Sequence, residues 1–205
     1  NSVTFVQRSD ENTKRDFPFD YELKIKYTIN GDTVTNEYIV TNTGEDKLPF
    51  VIGGHPAFNC PLANGEKFED YKVVFDKNIT KPCLRPNHHT GLVNVFEKFD
   101  EMHGGDTLSL VHELFEEKDA LIFENCEAKS ATLIGKSGKG VKIEFQDMNN
   151  LLIWSAVGNA PFVALEPWTG LASCNDEDGL FEHKRGMTVL EKDETASFKF
   201  KITMI

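Results

Sequence analysis

Apolar and polar side chains alternate with a period of two over long stretches of the chain. From Tyr21 to Asn30 every second residue is apolar, and the same alternation recurs over 141–146 and 198–204. This period predicts strands with one buried and one solvated face. Asn30-Gly31 predicts a hairpin turn because both residues tolerate positive φ, and the return strand is expected over 33–42.

Shorter apolar runs, separated by turn residues about every ten positions, predict further strands. They lie at 49–52, 71–75, 120–124, 131–135, 151–155 and 162–166. A helical pattern is confined to Thr107–Glu116, which predicts one or two helical turns. The sequence therefore predicts an all-β fold, an antiparallel sandwich or barrel, in which residues 1–205 form a single domain without repeats or linkers.

Composition and charge narrow the class of protein. The 205 residues carry 22 Lys and Arg against 33 Asp and Glu, a formal net charge of −11, which disfavours nucleic acid and anionic membrane surfaces as partners. Hydrophobic residues make up 40% of the chain and include 16 Phe, which is enough to form a hydrophobic core.

No apolar run approaches the ~18 residues of a membrane span. Four widely spaced cysteines predict reduced thiols in a cytoplasmic protein.

Two motifs that suggest ligand sites have simpler explanations. Gly135-Lys136-Ser137-Gly138 lacks the glycine that a phosphate-binding loop requires five positions earlier, where Ser130 stands. Residues 138–140 are instead expected to form a hairpin tip. His88 and His89 are adjacent, so on an extended chain they point to opposite faces and do not share a metal ion. No metal site is predicted.

The segment around His55 carries candidate acid chemistry. An apolar strand runs into Gly53-Gly54, which allow backbone or ligand to approach closely, and Pro56 restricts His55 to extended geometry. Histidine is the side chain best suited to donate a proton near neutral pH. The alternative is a histidine that ends the strand and bonds a carbonyl.

A second segment offers a candidate base. Glu166 ends an apolar strand and shares a face with Phe162 and Ala164. Partial desolvation raises the pKa of such a carboxyl group and makes the carboxylate a better base. An edge carboxylate bonded to backbone N–H groups remains the alternative.

Three further residues are candidates for substrate contact. Trp154 and Trp168 are flat apolar surfaces of the kind on which sugar faces pack, although both could also belong to the core. Asp119 precedes an apolar strand and on its own is typical of a turn or cap.

Together these segments resemble the aldose 1-epimerase (hexose mutarotase) family, and more narrowly its bacterial branch of epimerase-like proteins. The resemblance lies in a His-Pro-x-Phe segment followed by a Glu-Pro-Trp segment, with order and spacing matching over essentially the whole chain. The stretches concerned are Gly53–Asn59, Asp119–Phe123, Leu152–Ser155 and Ala160–Gly170.

The resemblance implies a large two-layer antiparallel β-sandwich, the galactose mutarotase-like supersandwich. It implies that His55 is the catalytic acid, that Glu166 is the catalytic base, and that Asp119 hydrogen-bonds sugar hydroxyls. It also implies a small-molecule sugar as the substrate and neither cofactor nor metal.

Two departures from the family pattern affect these expectations. Galactose mutarotases carry a glutamine near Leu152, so the identity of the sugar is left open. The family also begins with a segment that bears a substrate-binding arginine and often a further histidine, and Asn1 follows that segment. Residues 1–205 are therefore expected to be the central and C-terminal part of a longer catalytic domain, with apolar surface uncovered near Val3–Val6.

The implied reaction opens an aldose ring at C1 and closes it on the other face. Glu166 would remove the proton of the C1 hydroxyl while His55 protonates the ring oxygen. This mechanism requires the two groups to face one cleft from opposite sides of the bound ring, separated by about the width of the ring. Asp119 and Asn59 would fix the orientation of the ring, and Trp168 would cover one face.

Other functions stay open at the level of sequence. Glu166 and Asp119 could be the paired carboxylates of a glycoside hydrolase, a reaction with no role for His55. A hexose-phosphate mutarotase would need a cation for the phosphate, for which Arg85 and Arg185 are available. A non-catalytic sugar-binding module is the third alternative.

Overall fold

The computed structural model describes residues 1–87, 89–116 and 119–205. The described residues form sixteen strands and two one-turn α-helices, α1 at Thr13–Asp16 and α2 at Glu113–Glu116. The strands are β1 Ser2–Arg8, β2 Tyr21–Asn30, β3 Thr33–Asn42, β4 Leu48–Phe50, β5 Ala57–Asn59, β6 Lys72–Phe75, β7 Cys83–Pro86, β8 Val93–Phe99, β9 Thr107–Ser109, β10 Leu121–Phe123, β11 Ser130–Ile134, β12 Gly140–Glu144, β13 Asn150–Trp154, β14 Phe162–Trp168, β15 Thr188–Leu190 and β16 Thr195–Met204. Short 3₁₀ turns occupy Phe68–Asp70 and Phe181–His183.

The strands assemble into two large sheets and one small ribbon. The eight-stranded sheet has the order β1-β2-β3-β16-β12-β11-β6-β9, and the six-stranded sheet has the order β5-β14-β13-β10-β7-β8. Strands β15 and β4 pair separately. The paired strands run antiparallel, as the alternating pattern and tight turns predicted. The all-β, two-layer antiparallel sandwich is confirmed.

Hairpin turns follow the glycine signals in the sequence. The β2–β3 ladder ends at the Asn30–Thr33 pair, and Gly31 between them has a φ of +59°. The β11–β12 hairpin turns at Gly138, with a φ of +82°. The hairpin is confirmed and the segment is not a phosphate-binding loop, but its tip lies within residues 135–139, because Gly140, in β12, already pairs with Ile134.

The main core lies between the two large sheets. Alternate residues of both sheets meet there and are almost fully buried, which is why the strands show a period of two. The eight-stranded sheet contributes Val73, Phe75, Leu133 and Ile143, and the six-stranded sheet contributes Leu121, Phe123, Ile153 and Leu165. Burial of each such side chain stabilises the fold by about 1.5–3 kcal/mol.

The six-stranded sheet is also partly covered on its outer face, the face turned away from the main core. A second apolar cluster lies there, formed by Leu84, Ile122, Leu152 and neighbours, with Trp154 and Trp168 packed against it. Because both faces are apolar, β13 is buried at Asn150–Ile153 and departs from strict alternation. This outer face carries the candidate site.

The predicted helix at Thr107–Glu116 is only partly correct. Thr107 and Leu108 pair with Val74 and Val73 in the eight-stranded sheet, and only Glu113–Glu116 is helical. Sheet pairing that buries Leu108 outweighs the local helical pattern. Strands β5, β7, β8 and β15 were not predicted, because they are short or lack clear alternation.

Strand β1 lies at the edge of the eight-stranded sheet and is exposed along its whole length. Val3, Phe5 and Val6 are among the exposed large apolar residues, and Phe5 is 60% exposed. The expected uncovered apolar surface near Val3–Val6 is therefore confirmed. The assignment of residues 1–205 to part of a longer domain stays a prediction.

The four cysteines are free and buried. Burial raises the pKa of Cys60 to about 12 and the pKa values of Cys83, Cys126 and Cys174 to about 11, so their thiols are protonated. In the part of the chain that the structure describes, no helix has the length and hydropathy that a membrane crossing requires. The cytoplasmic location stays a prediction.

Candidate active site

Glu166 lies on the outer face of the six-stranded sheet. In β14 its neighbours Val163 and Leu165 are fully buried in the main core, so the alternation of the strand turns Glu166 to the outer face. The pairing with β13 places Leu152 directly opposite Glu166. Phe162 lies on the same face by the same alternation, as the sequence predicted.

His55 is held opposite Glu166 by a continuous antiparallel register. Ala57–Asn59 pair with the first half of β14, and the same register extends back to the bridge between Gly53 and Trp168. His55 and Glu166 form one pair of this register. His55 Nε2 lies 3.3 Å from Glu166 Oε1. The two residues that the sequence nominated for proton transfer are therefore in direct contact.

The backbone bonds on either side explain this contact. The Gly54 N–H donates to Pro167 O at 3.0 Å, and the Leu165 N–H donates to Pro56 O at 3.1 Å. His55 and Glu166 thus occupy a non-hydrogen-bonded pair, the kind in which opposed side chains are closest. Neither proline has an N–H to return a bond. Gly54 O instead accepts from the indole N–H of Trp168 at 3.2 Å.

The two glycines before His55 are required by packing. A Cβ atom at Gly53 would clash with the indole ring of Trp168, and a Cβ atom at Gly54 would clash with the ring of Phe200. The predicted close approach is therefore that of two aromatic rings to the backbone, Trp168 at Gly53 and Phe200 at Gly54. It fixes the direction of the chain just before His55.

The environments of the two side chains differ strongly. The Glu166 side chain is 3% exposed, whereas the His55 side chain is 58% exposed. Burial, and to a smaller extent the negative charge of Asp119, raise the pKa of Glu166 from 4.5 to about 7, although a side-chain hydrogen bond with Trp168 partly offsets the rise. A carboxyl group with this pKa can both accept and return a proton near neutrality.

The expectation that the acid and the base stand on opposite sides of a sugar ring is wrong for this structure, because the two groups touch. The reaction requires only that each group lie within hydrogen-bond reach of its own oxygen. The C1 hydroxyl oxygen and the ring oxygen of an aldose are bonded to the same carbon, so they are only two bonds apart. Glu166 and His55, although adjacent, can therefore each exchange a proton with one of these two oxygens.

Asp119 lies in a left-handed backbone conformation, with a φ of +55°. Its N–H donates to Phe115 O at 3.2 Å, and its carbonyl accepts from Arg85 at 3.3 Å. The turn that the sequence predicted is therefore present. Because the Asp119 charge raises the pKa of Glu166, the structure places this carboxylate within electrostatic range of the pair.

The other nominated residues lie at different distances from the pair. Trp154 packs edge-on against His55 with ring centroids 5.8 Å apart, and Trp168 bonds Gly54 as described. Asn59 lies on the same face but roughly 13 Å from His55 along the strand, at about 3.3 Å per residue. The structure therefore brings both tryptophans to the pair and does not bring Asn59 there.

The two arginines considered for a phosphate group have protein partners. Arg85 is buried and bonds Glu101 at 2.9 Å, besides two backbone carbonyls. Arg185 pairs with Glu124 at 3.2 Å and with Asp176. The link between Arg85 and Asp119 was not predicted from sequence. Its signal is an arginine that follows the apolar Cys83 and Leu84 inside a buried strand.

Possible metal ligands are scattered. Across residues 1–87, 89–116 and 119–205, no group of three or more His, Cys, Asp or Glu side chains lies close enough to hold a metal ion. His88 falls outside the described residues, so its predicted position is not compared with the structure.

Comparisons with known proteins show the family and the fold of this chain. A family model described as Aldose 1-epimerase matches residues 1–203. The curated protein LacX (plasmid) of Lactococcus lactis subsp. lactis is 36% identical over 209 residues, an alignment that covers 100% of this chain and 69% of LacX.

Two solved structures have the same fold. The galactose mutarotase related enzyme from Lactobacillus acidophilus superposes with a TM-score of 0.89 at 26% identity, covering 100% of this chain and 68% of that chain. A galactose mutarotase-like protein from Lactobacillus casei ATCC 334 gives a TM-score of 0.84 at 28% identity, covering 100% of this chain and 70% of that chain. The fold is thus the galactose mutarotase-like supersandwich.

Proposed function

Because the chain belongs to the aldose 1-epimerase family, we propose that it interconverts the α and β anomers of a free hexose, with Glu166 as the base and His55 as the acid. One observation carries this proposal. A buried carboxyl group with a pKa of about 7 touches an exposed imidazole on the outer face of the sheet. Such a pair can remove a proton from one of the two oxygens bonded to C1 and deliver a proton to the other.

The chemistry proceeds in two mirrored steps. Glu166 takes the proton of the C1 hydroxyl, and the C1–O1 bond becomes a carbonyl as the bond from C1 to the ring oxygen breaks. Protonated His55 delivers its proton to the ring oxygen, so the open aldehyde is neutral. After rotation about C1–C2, the protons return in the opposite direction and the ring closes on the other face. The pair ends in its starting state, and no other reactant is consumed.

The exposure of His55 suits its role. Its imidazole covers the almost fully buried Glu166 carboxylate on the open side. A hemiacetal that approaches from this side contacts both groups, and rotation of the exposed ring admits the C1 hydroxyl to Glu166. Asp119 then hydrogen-bonds a hydroxyl farther round the ring, and Trp168 offers an apolar surface for a sugar face. These roles extend the family resemblance to individual residues.

A free hexose agrees better with the described charges than a hexose phosphate does. Glu166 and Asp119 are both acidic, and the candidate arginines Arg85 and Arg185 are held by carboxylates. An anionic substrate would meet net repulsion from the described charges at this part of the outer face. We therefore expect neutral sugars to be the better substrates.

Polarimetry of freshly dissolved α-D-glucose and α-D-galactose tests the proposal. We expect the protein to speed the approach to equilibrium rotation. Glu166→Gln and His55→Asn should each lower kcat by about 10²–10⁴, the usual contribution of a positioned acid or base. The matched controls are Glu144→Gln on β12 and His103→Asn in an exposed turn, which should keep the original rate.

The outcomes separate the alternatives. Full activity of Glu166→Gln would overturn the assignment of the base. Sugar binding seen by calorimetry without faster anomer exchange would identify a sugar-binding module instead. Cleavage of a glycoside that survives His55→Asn would favour the paired-carboxylate hydrolase.

A further inference from the structure

We infer that Arg85 is a positioning residue: it holds the Asp119 turn in place, and through Asp119 it sets the charge environment of Glu166. Its consequence for turnover rests on the proposed function, whereas its structural part does not. No other role for Arg85 follows from the family resemblance, and the phosphate role considered from sequence conflicts with its burial.

The contacts of Arg85 converge on this turn. One guanidinium nitrogen, Nη1, donates to Leu114 O at 2.8 Å and to Asp119 O at 3.3 Å. The other terminal nitrogen, Nη2, bonds the Glu101 carboxylate at 2.9 Å. The Phe99 ring lies 5.5 Å from the guanidinium carbon, an additional cation–π contact. Arg85 thus ties together both sides of the turn that carries Asp119.

The burial of Arg85 needs an explanation other than stability. Its side chain is only 3% exposed, and its Nε–H finds no acceptor among the described residues. A buried ion pair is weak evidence for stability, because the desolvation of both charges offsets their attraction. What arginine supplies here is a rigid fork that bonds two carbonyls and a carboxylate at once. A lysine carries its three N–H donors on one nitrogen, so it does not reproduce contacts that Arg85 makes from two separate nitrogens.

Asp119 requires such support. A positive φ is unfavourable for a residue with a side chain, although Asp tolerates it better than most. Both peptide groups around it are bonded, through its N–H to Phe115 O and its C=O to Arg85. Removal of the Arg85 bond releases the carbonyl side of this residue. The backbone then no longer holds the Asp119 carboxylate in its present position, from which its charge acts on Glu166.

The test is Arg85→Lys, read through the ionisation of Glu166. The carboxyl carbon of Glu166, assigned by its loss in Glu166→Gln, is followed by NMR as a function of pH. In the original protein the midpoint is expected near 7. Because the negative charge of Asp119 raises this pKa, displacement of Asp119 must lower it. We expect Arg85→Lys and Asp119→Asn to move the midpoint down, and the double variant to move it no further than Asp119→Asn alone.

Activity gives the second reading. If Asp119 hydrogen-bonds the sugar, both single variants should lower kcat/KM about tenfold or more, with the acid limb of the pH profile displaced to lower pH. The matched control is Lys129→Met, which removes a half-buried cation that bonds the Met148 carbonyl. It should leave the Glu166 midpoint unchanged.

Each outcome is decisive. A fall in thermal stability with an unchanged Glu166 midpoint would show that Arg85 is merely structural and would overturn the inference. Additive midpoint changes in the double variant would do the same. Should Arg85→Lys fail to fold, the paired replacement Arg85→Met with Glu101→Leu removes the ion pair as a unit, which proteins often tolerate, and must lower the midpoint equally. Should the midpoint move although the original protein does not speed mutarotation, the inference stands and the proposed function fails.

Discussion

Glu166→Gln should make the protein more stable at alkaline pH while it lowers the proposed mutarotase activity. The folded-state pKa of Glu166 is about 7, against an ordinary value of 4.5. The folded state therefore binds more protons than the unfolded state between these two values, and stability falls as the pH rises through this window. Below it, both states are protonated and the carboxyl group adds no penalty. Above it, the buried negative charge opposes folding.

The magnitude follows from the difference of about 2.5 between the two pKa values. At about 1.36 kcal/mol for each pKa unit, the full penalty is roughly 3 kcal/mol, most of which develops between about pH 5 and about pH 8. The interval from about pH 5 to about pH 8 captures most but not all of this penalty, so about 2 kcal/mol is the expected difference over it. Glutamine is uncharged, so the variant should lack this part of the pH dependence.

Urea unfolding of both proteins at about pH 5 and about pH 8 measures the effect. The original protein should lose about 2 kcal/mol more than the variant over this interval, and other titrating groups cancel in the comparison. Glu144→Gln, at a half-exposed position on β12, should lose as much unfolding free energy over this interval as the original protein does. Equal pH dependence of the original protein and Glu166→Gln would refute the claim that burial raises the pKa of Glu166.

Three further results are expected. His55→Asn should lower kcat by about 10²–10⁴ without changing the melting temperature, because the side chain is exposed, and polarimetry with calorimetric melting checks this. Trp168→Phe should cost about 1–3 kcal/mol in urea unfolding, because Gly54 O loses its donor opposite a proline; an unchanged midpoint would contradict that role. The thiols, of which Cys60 has the highest pKa, should react with a disulfide reagent only on unfolding, and rapid labelling of the native protein would refute their burial.

The sequence predicted the parts of the fold that depend on local pattern. The hairpin at Gly31 and the long alternating strands are confirmed, since period-two patterning and turn chemistry act over a few residues. The strand at Thr107–Ser109 was missed, because its pairing with β6 is a long-range contact that overrides the local helical pattern.

The candidate site shows the same division. His55 and Glu166 could be nominated because proline, glycine and apolar neighbours mark them in the sequence. Their direct contact could not, since it depends on the register between two strands distant in the chain. The sequence indicates that Arg85 is buried, because it follows Cys83 and Leu84, but it does not reveal the support for Asp119, since bonds to backbone carbonyls leave no pattern of residue types. The assigned roles in substrate binding stay predictions.

His55 and Glu166 are held by strand pairing, so the distance between them does not depend on the turns that are expected to select the sugar. The spacing between the proposed acid and the proposed base is set by the pairing of two strands in a sheet, whose dimensions are fixed by backbone geometry. Asp119 and Trp154, two of the residues expected to contact the sugar, lie in a turn and at the end of β13. Exchange of these segments can therefore alter which sugar is accepted while the proton-transfer distance stays constant. An engineer who seeks a new substrate should vary the turns and leave residues 53–56 and 165–168 untouched.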